Sequence, residues 1–309
     1  MEGNPFSLKF NFEPGKVHQL QRNIRRIIAP NGSPMTFTGT NTYLVGNQNL
    51  AVIDPGPNIK AHLSSILASV TPNQSITHIL ITHSHIDHSP LAKILQEKTN
   101  APIYAFGDSF SGRSKLMMEL TKKGDLKGGE GLDKNFSPDV YVKDGDQISS
   151  DEWCFDAIWT PGHLGNHLCY GLKKSGVLFS ADHVMGWATS LVSPPDGDLT
   201  QFMDSLQKLL KFDDYNLYYP GHGDKIDNPK EIINYIIKHR KMREKQILKS
   251  IAEISLNSTQ IAEKIYIDVN KSLIPAAARN VFAHLIDLKQ RQLVTNSHEL
   301  NFETIFSSI

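Results

Sequence analysis

The chain has 309 residues, of which 39% are hydrophobic and 21% charged, as is typical of a soluble globular protein. Acidic and basic residues number 32 each, so no overall field attracts nucleic acid or a membrane surface. The two cysteines are too few for a disulfide framework, and no apolar run approaches the roughly 20 residues needed to cross a bilayer. Residues 1–10 contain no secretion signal, and we therefore expect a cytoplasmic protein without membrane association.

Strand-like and helical patterns alternate over the first two-thirds of the chain. Alternating or β-branched apolar residues predict strands, and apolar residues at three-to-four spacing predict helices. The strands are predicted at residues 42–45, 50–53, 78–82, 102–105, 153–159, 167–172, 177–180 and 216–219, and the helices at 59–70, 90–98, 114–122 and 200–210. This order indicates either one sheet or two packed sheets covered by helices. The glycine-rich, charged segment 107–139 indicates a mobile insertion or lid.

The composition changes after residue 229. Residues 231–251 form one long helical pattern, to whose polar side we assign Lys238, Arg240, Lys241, Arg243, Lys245 and Lys249. Two further helices are predicted at 258–266 and 275–291, followed by a small hairpin of residues 293–294 and 301–306. Two helices followed by a hairpin are typical of a winged-helix module. A helical cap packed on the main domain is the alternative.

The densest group of potential metal ligands follows the predicted strand at 78–82. It reads H-S-H-I-D-H and contains His83, His85, Asp87 and His88. Side chains alternate along an extended segment, so His83 and His85 are expected on one side, while the turn can direct Asp87 and His88 to a second point. Neutral imidazole and carboxylate groups bind Zn²⁺, Mn²⁺ or Fe²⁺. A hydrogen-bonded surface turn is the alternative interpretation.

Four motifs, in their order and wide spacing, resemble those of the metallo-β-lactamase superfamily. They are H-S-H-I-D-H at 83–88, T-P-G-H at 160–163, A-D-H at 181–183 and P-G-H-G at 220–223. The resemblance implies an α/β fold, the αββα sandwich, with two divalent metal ions at one edge of the packed sheets. It also implies that one ion is held by His83, His85 and His163, that the other is held by Asp87, His88 and His222, and that Asp182 bridges them.

Further motifs resemble one branch of this superfamily, the lactamase-β-like protein 2 branch, which carries a winged-helix-like tail. They are T-F-T-G-T-N-T-Y-L-V-G at 36–46, A-V-I-D-P-G-P at 51–57, S-P-P-D-G-D at 193–198 and I-P-A-A-A-R-N-V-F-A-H-L at 274–285. We therefore predict a catalytic domain at 1–230, a linking helix at 231–250 and a small winged-helix-like domain at 251–309. Two positions depart from the pattern: Ala181 stands where Gly commonly precedes the bridging Asp, and Leu164 replaces a frequent Thr.

The resemblance implies a hydrolase in which a metal-bridging hydroxide attacks the substrate, with Zn²⁺ as the first choice of metal and Mn²⁺ or Fe²⁺ as alternatives. Asp87 is predicted to be catalytic as well as a ligand, because it can orient or accept the proton of the nucleophile. His167, four residues after His163, is predicted to hydrogen-bond the substrate or a ligand. Its alternative is a strand histidine satisfied by the backbone. His183 is expected to point away from the site, and Asp54 to orient a ligand histidine.

Two positions narrow the substrate class. The bridging position carries no cysteine, which disfavours antibiotic hydrolysis, and His85 is not Glu, which disfavours the flavodiiron oxidoreductases of this fold. The branch favours endoribonuclease activity on single-stranded RNA, with the basic helix and the winged helix as candidate phosphate contacts. Hydrolysis of a small-molecule thioester, as in glyoxalase II, or of another ester such as a lactone is the alternative, and an iron-dependent persulfide dioxygenase is a third. The sequence does not define the oligomeric state.

Overall fold

Two β-sheets packed face to face form the centre of the computed structural model, which describes residues 3–124, 126, 131–268 and 270–309. The first sheet has seven strands in the order β1 to β7. Strands β1 to β4 pair antiparallel, and β5, β6 and β7 then add in parallel. The strands are β1 (Val17–Gln21), β2 (Ile24–Ile28), β3 (Asn41–Val45), β4 (Asn49–Ile53), β5 (Ser75–Leu80), β6 (Ile103–Ala105) and β7 (Val140–Tyr141).

The second sheet has five strands in the order β12-β11-β10-β9-β8. Only β11 and β12 pair in parallel, and the other neighbours are antiparallel. The strands are β8 (Gln147–Ser149), β9 (Cys154–Trp159), β10 (Leu168–Leu172), β11 (Val177–Ala181) and β12 (Leu217–Pro220). The sequence left open whether the first two-thirds of the chain forms one sheet or two packed sheets, and the described residues of that part form two.

Large apolar side chains fill the space between the sheets, as in the edge-on contact of Tyr43 with Phe179, whose ring centroids lie 5.0 Å apart. Helices α1 (Lys60–Ala68) and α2 (Leu91–Thr99) cover the outer face of the first sheet. Helix α4 (Leu199–Leu209) covers the outer face of the second sheet together with the start of a longer helix. Each sheet thus buries both faces, which gives the αββα sandwich that the resemblance implied.

The C-terminal part packs three helices and a two-stranded sheet around its own core. These elements are α5 (Pro229–Ser250), α6 (Ser258–Ile265), α7 (Ile274–Gln290), β13 (Val294–Asn296) and β14 (Phe306–Ser308). Helix α5 joins the two parts, because its first half packs on the second sheet and its last turn enters the C-terminal core. The three predicted helices are confirmed, with Pro275 in the first turn of α7 as expected. No helix in the described residues is long and apolar enough to span a membrane.

A hairpin forms at the predicted place in the chain, but the prediction of its second strand is wrong. Residues 301–306 were expected to pair, whereas the strand is β14 at the end of the chain. Residues 301–304 form a turn instead, in which the Thr304 hydroxyl oxygen accepts the Asn301 amide at 2.9 Å. Side chains that bond to nearby backbone compete with strand pairing in this way.

The segment predicted as an insertion or lid contains helix α3 (Lys115–Lys123), capped by Ser114. Met117 and Leu120 of α3 pack into the C-terminal core. The backbone of residues 131–133 bonds to the loop that carries the predicted metal ligands. Residues 125 and 127–130 lie outside the described residues, so the mobility of this segment stays a prediction.

Candidate metal centre

The predicted ligands converge at one edge of the sandwich, where strands of both sheets end. The loop after β5 carries the H-S-H-I-D-H motif, β11 ends just before Asp182, and β12 ends just before Gly221 and His222. His163 lies in the connection between β9 and β10. A β-carbon on Gly221 would lie 2.2 Å from Asp182 Oδ1, so the motif P-G-H requires glycine for lack of space.

The first group consists of His83, His85, His163 and Asp182, whose ligand atoms all lie within 4.8 Å of one another. His85 Nδ1 is 3.0 Å from both His83 Nε2 and His163 Nε2. Asp182 Oδ2 lies 3.9 Å from His83 Nε2 and 3.6 Å from His163 Nε2. Three imidazoles and one carboxylate at this spacing are able to hold a metal ion.

The second group consists of Asp87, His88 and His222. His88 Nε2 and His222 Nε2 are 3.4 Å apart, and Asp87 Oδ2 lies 3.5 Å and 3.2 Å from them. Asp182 also reaches this group, since Oδ1 is 3.5 Å from His88 Nε2 and Oδ2 is 3.3 Å from His222 Nε2. Asp182 therefore lies close to the ligand atoms of both groups, and its Oδ1 has no hydrogen-bond partner among the described residues.

Hydrogen bonds on the far side of the rings determine which nitrogen carries the proton. His163 Nδ1 donates to the Leu191 carbonyl at 2.8 Å, and His222 Nδ1 donates to the Gly39 carbonyl at 3.1 Å. His88 Nδ1 donates to Asp54 Oδ2 at 2.9 Å. In each neutral ring the Nε2 lone pair then points into the cluster. Converging lone pairs and carboxylates repel one another unless a cation lies between them, so these residues fit metal ions.

Asp54 organises this side of the centre, as expected for a residue that orients a ligand. Its Oδ1 accepts the Thr82 amide at 2.8 Å, and its Oδ2 accepts the Thr82 hydroxyl at 2.6 Å as well as His88 Nδ1. Because the Thr82 hydroxyl donates to Asp54, its oxygen accepts from His83 Nδ1, 3.0 Å away. One buried carboxylate thus orients ligands of both groups.

The cluster perturbs the pKa values of its own members. Burial and the neighbouring His163 lower the pKa of His85 to about 3, although the charges of Asp87 and Asp182 oppose this. Burial also acts to lower the pKa of His222, but the charge of Asp182 and hydrogen bonds to Asp182 and Asp87 outweigh it and raise this pKa to about 10. Without metal, therefore, the second group holds protons at neutral pH.

His167 and His183, the two histidines next to the predicted ligands, are fully buried. His167 Nδ1 bonds to the Thr160 hydroxyl at 2.8 Å, and its ring lies 5.1 Å from that of His83. This places His167 behind a ligand rather than in the opening of the site, and its predicted catalytic role stays a prediction. His183 points away as expected, with its ring 4.6 Å from that of Phe202.

An aromatic pair lies beside the second group. Phe37 and Trp187 stack with ring centroids 4.8 Å apart and planes 13° apart, and both are partly exposed. The β-carbon position of Gly223, next to His222, lies 3.0 Å from Trp187 Cδ1. Phe37 has a φ of 53°, an unfavourable backbone conformation for a bulky residue and one often found at functional sites.

Sequence reasoning missed the acceptors that orient the ligand rings. The Gly39 and Leu191 carbonyls carry no side-chain signature, because any residue supplies a backbone oxygen. Thr82 lies between a buried strand and the first ligand, and only that position marks it. The aromatic pair joins residues that are 150 positions apart in the chain, Phe37 and Trp187, and no local pattern connects them.

Profiles of two known families match the chain, the Metallo-beta-lactamase superfamily at residues 35–222 and the Beta-lactamase associated winged helix domain at residues 258–300. The chain belongs to the metallo-β-lactamase superfamily. The fold and the winged helix that the sequence predicted are therefore confirmed. The superfamily supports an enzyme of the hydrolase type, with a His and Asp cluster able to bind metal ions.

Among the relatives is a protein named Beta-lactamase-like protein 2 homolog from Caenorhabditis elegans, 32% identical over 302 residues, with 94% of this chain and 92% of that protein covered. Another is the Atrochrysone carboxyl ACP thioesterase from Aspergillus fumigatus, 27% identical, with 80% of this chain and 71% of that protein covered. A crystal structure of a beta-lactamase domain protein from Burkholderia ambifaria superposes with a TM-score of 0.79 at 18% identity and covers 97% of this chain and 96% of that one. This structural similarity shows the shared fold.

Proposed function

We propose that this chain is a hydrolase that uses two divalent metal ions, with Zn²⁺ as the first choice. The observation that carries the proposal is the direction of the ligand lone pairs. Far-side hydrogen bonds keep a proton on the Nδ1 atoms of four histidines, so that their Nε2 atoms, once deprotonated, direct their lone pairs at two points with Asp182 between them. His83, His85 and His163 would hold one ion, Asp87, His88 and His222 the other, and Asp182 both.

When bound, two divalent ions at such a centre lower the pKa of a shared water molecule and stabilise negative charge on substrate oxygens. Asp87 is suited to accept or orient the proton of the attacking water, because its side chain is 20% exposed while the rings of His88 and His222 are closed to solvent. His167 would act as a positioning residue behind the His83 ring. Asp54 would keep the protons on the far side of the ligand rings.

Single-stranded RNA is the substrate class that the surface favours. The partly exposed stack of Phe37 and Trp187 offers a platform for a base, and proteins that bind single strands combine such stacking with basic side chains along the backbone. Helix α5 supplies a row of exposed lysines, which are Lys238, Lys241, Lys245 and Lys249. The spacing of three to four residues keeps them on one side of the helix.

The basic row is smaller than the sequence predicted, and the difference concerns Arg240. We assigned Arg240 to the polar side of α5, but it is only 3% exposed and its guanidinium bonds to protein oxygens. Arg243 is partly buried and lies over the Tyr266 ring, 4.2 Å from its centroid. Helical periodicity places both arginines on the solvent face, because it depends on sequence spacing alone and gives no information about contacts with distant segments.

A thioester is the second candidate substrate. Its support is the similarity to the Aspergillus fumigatus protein whose name describes a thioesterase acting on a carrier-protein thioester. A thioester carbonyl can be attacked by the same nucleophile as a phosphodiester, and the aromatic pair could equally contact a planar acyl group.

The test measures metal content and turnover together. Wild type, Asp182→Asn and the exposed control Asp151→Asn are loaded with Zn²⁺ or Mn²⁺, and each is given labelled single-stranded RNA and an acyl-thioester. The proposal expects about two ions per chain and RNA cleavage in wild type and control, with both lost in Asp182→Asn. Thioester turnover without RNA cleavage would select the second candidate. One iron per chain in the wild type as isolated, with neither hydrolysis after loading, would contradict the proposal and favour persulfide oxidation.

A further inference from the structure

We propose that the C-terminal helices position the metal centre, with Arg240 of α5 and Asn280 of α7 as positioning residues. They act through Ser190, Leu191 and Val192, which we call the 190–192 loop. This inference rests on the proposed metal site but concerns a different question, namely what holds its ligands in place. The loop touches the centre on one side and the two helices on the other.

Two contacts connect the 190–192 loop to the predicted ligands. The Leu191 carbonyl accepts the hydrogen bond from His163 Nδ1 at 2.8 Å, and so determines both the orientation and the tautomer of that ring. The Ser190 hydroxyl donates to the backbone carbonyl of Asp182, the residue that lies between the two ligand groups. Ser190 is 1% exposed, so water does not compete with this bond.

Two contacts hold the same loop from the other side, and a third bond joins the two helical residues that make them. Arg240 Nη2 donates to the Ser190 carbonyl, and Arg240 Nη1 donates to Asn280 Oδ1 at 3.0 Å. Asn280 Oδ1 also accepts the Val192 amide at 3.1 Å. The bonds to Ser190 and Val192 therefore flank Leu191 on both sides and restrain the position of its carbonyl.

The cost of burying Arg240 favours a positioning role. Burial lowers the pKa of Arg240 to about 10, yet the guanidinium stays charged at neutral pH. Its hydrogen-bond partners are the neutral oxygens of Ser190 and Asn280, and among the described residues no carboxylate forms an ion pair with it. A buried charge without a counter-charge costs free energy that an apolar side chain would not cost. What the guanidinium provides here is a planar donor that bonds to the loop through Nη2 and to Asn280 through Nη1.

The experiment measures the affinity of each variant for Zn²⁺ by competition with a chromophoric chelator. Arg240→Met removes the donors at similar length, and Asn280→Leu removes the shared acceptor. Asn280→Asp is the rescue variant, because a carboxylate oxygen can still accept from both Arg240 and Val192. Arg243→Met is the matched control on the same helix, since the Arg243 guanidinium bonds to Gln246 and not to the loop.

We expect Arg240→Met and Asn280→Leu to bind Zn²⁺ about tenfold more weakly, as is typical when residues that orient ligands are lost. Asn280→Asp and Arg243→Met should stay close to wild type. Unchanged affinity in Asn280→Leu, with normal circular dichroism, would overturn the proposal even if its thermal stability fell. If Arg240→Met does not fold, the comparison of Asn280→Leu with Asn280→Asp decides. A wild type that binds no metal would contradict the proposed function, whereas equal binding by all variants contradicts only the positioning role.

Discussion

Substitution of Asp54 by Asn should move protons onto the ligand atoms of both metal groups. Asn can keep its oxygen on the Thr82 amide, but its NH₂ group then faces the Thr82 hydroxyl and His88 Nδ1, which now donate to Asp54 at 2.6 Å and 2.9 Å. His88 can accept this NH₂ group only by shifting its own proton to Nε2. The Thr82 hydroxyl would turn to His83 Nδ1, 3.0 Å away, and shift the His83 proton to Nε2 as well. If the amide of the Asn side chain is flipped, its NH₂ group faces the backbone N–H of Thr82, and two donors then meet without an acceptor.

A proton on Nε2 must be removed before that nitrogen can bind a metal ion. Loss of one such orienting partner typically weakens metal binding 10- to 100-fold, or about 1.4–2.7 kcal/mol, and Asp54→Asn affects both groups. We therefore expect at least a tenfold weaker affinity for each ion, measured by chelator competition, with unchanged circular dichroism. The exposed Asp151→Asn variant should bind like wild type. Affinity within twofold of wild type in folded Asp54→Asn would refute the assignment of the protons.

Three further predictions concern strain, thiol reactivity and pH. Ala181 has a φ of 43°, which costs a non-glycine residue roughly 1–2 kcal/mol. Ala181→Gly relieves this strain, but glycine adds about 0.4–1 kcal/mol of unfolded-state entropy and the lost methyl group, which is buried, is worth about 0.8 kcal/mol. The free energy of unfolding in urea titrations should therefore stay within about 1 kcal/mol of wild type, and a larger decrease would contradict this. Burial raises the pKa of the Cys169 thiol to about 12. Ellman's reagent should therefore leave Cys169 unmodified in the native state and react with it only after unfolding. The partly exposed Cys154 is the internal control that should react first. The charge of Asp182 and hydrogen bonds to Asp182 and Asp87 outweigh burial and raise the pKa of His222 to about 10. Metal binding at pH 7 should therefore release protons, and the metal affinity should increase as the pH rises. A metal titration in weak buffer that shows no proton release would contradict this.

The residues of the candidate site were easier to predict from the sequence than the hydrogen bonds that hold them in position. The predicted ligands His83 and Asp182 were recognisable because each lies within three residues of the end of a buried strand, where polar side chains are held on a rigid scaffold. Asp54 was recognisable for the same reason. The contacts of Ser190 with Arg240 and of Val192 with Asn280 were not, since they join residues 50 and 88 positions apart through a backbone carbonyl and a backbone amide.

The fold was predicted best where apolar residues are continuous. The central strands β3 to β5 were found because both of their faces are buried, whereas β2 (Ile24–Ile28) was missed because Arg25 and Arg26 interrupt its apolar pattern. Arg26 is nevertheless buried, with its guanidinium over the Phe10 ring and near Asp224. A charged residue that finds such partners is compatible with a strand, but only tertiary structure shows the partners.

The most direct test of the central claim is the number of metal ions bound per chain, measured by mass spectrometry of the native protein after reconstitution with Zn²⁺. We predict about two ions for wild type and for the exposed control His298→Ala, and at most one for His163→Ala, which removes a ligand from the first group only. One ion or none in wild type, or two in His163→Ala, would contradict the two-metal centre.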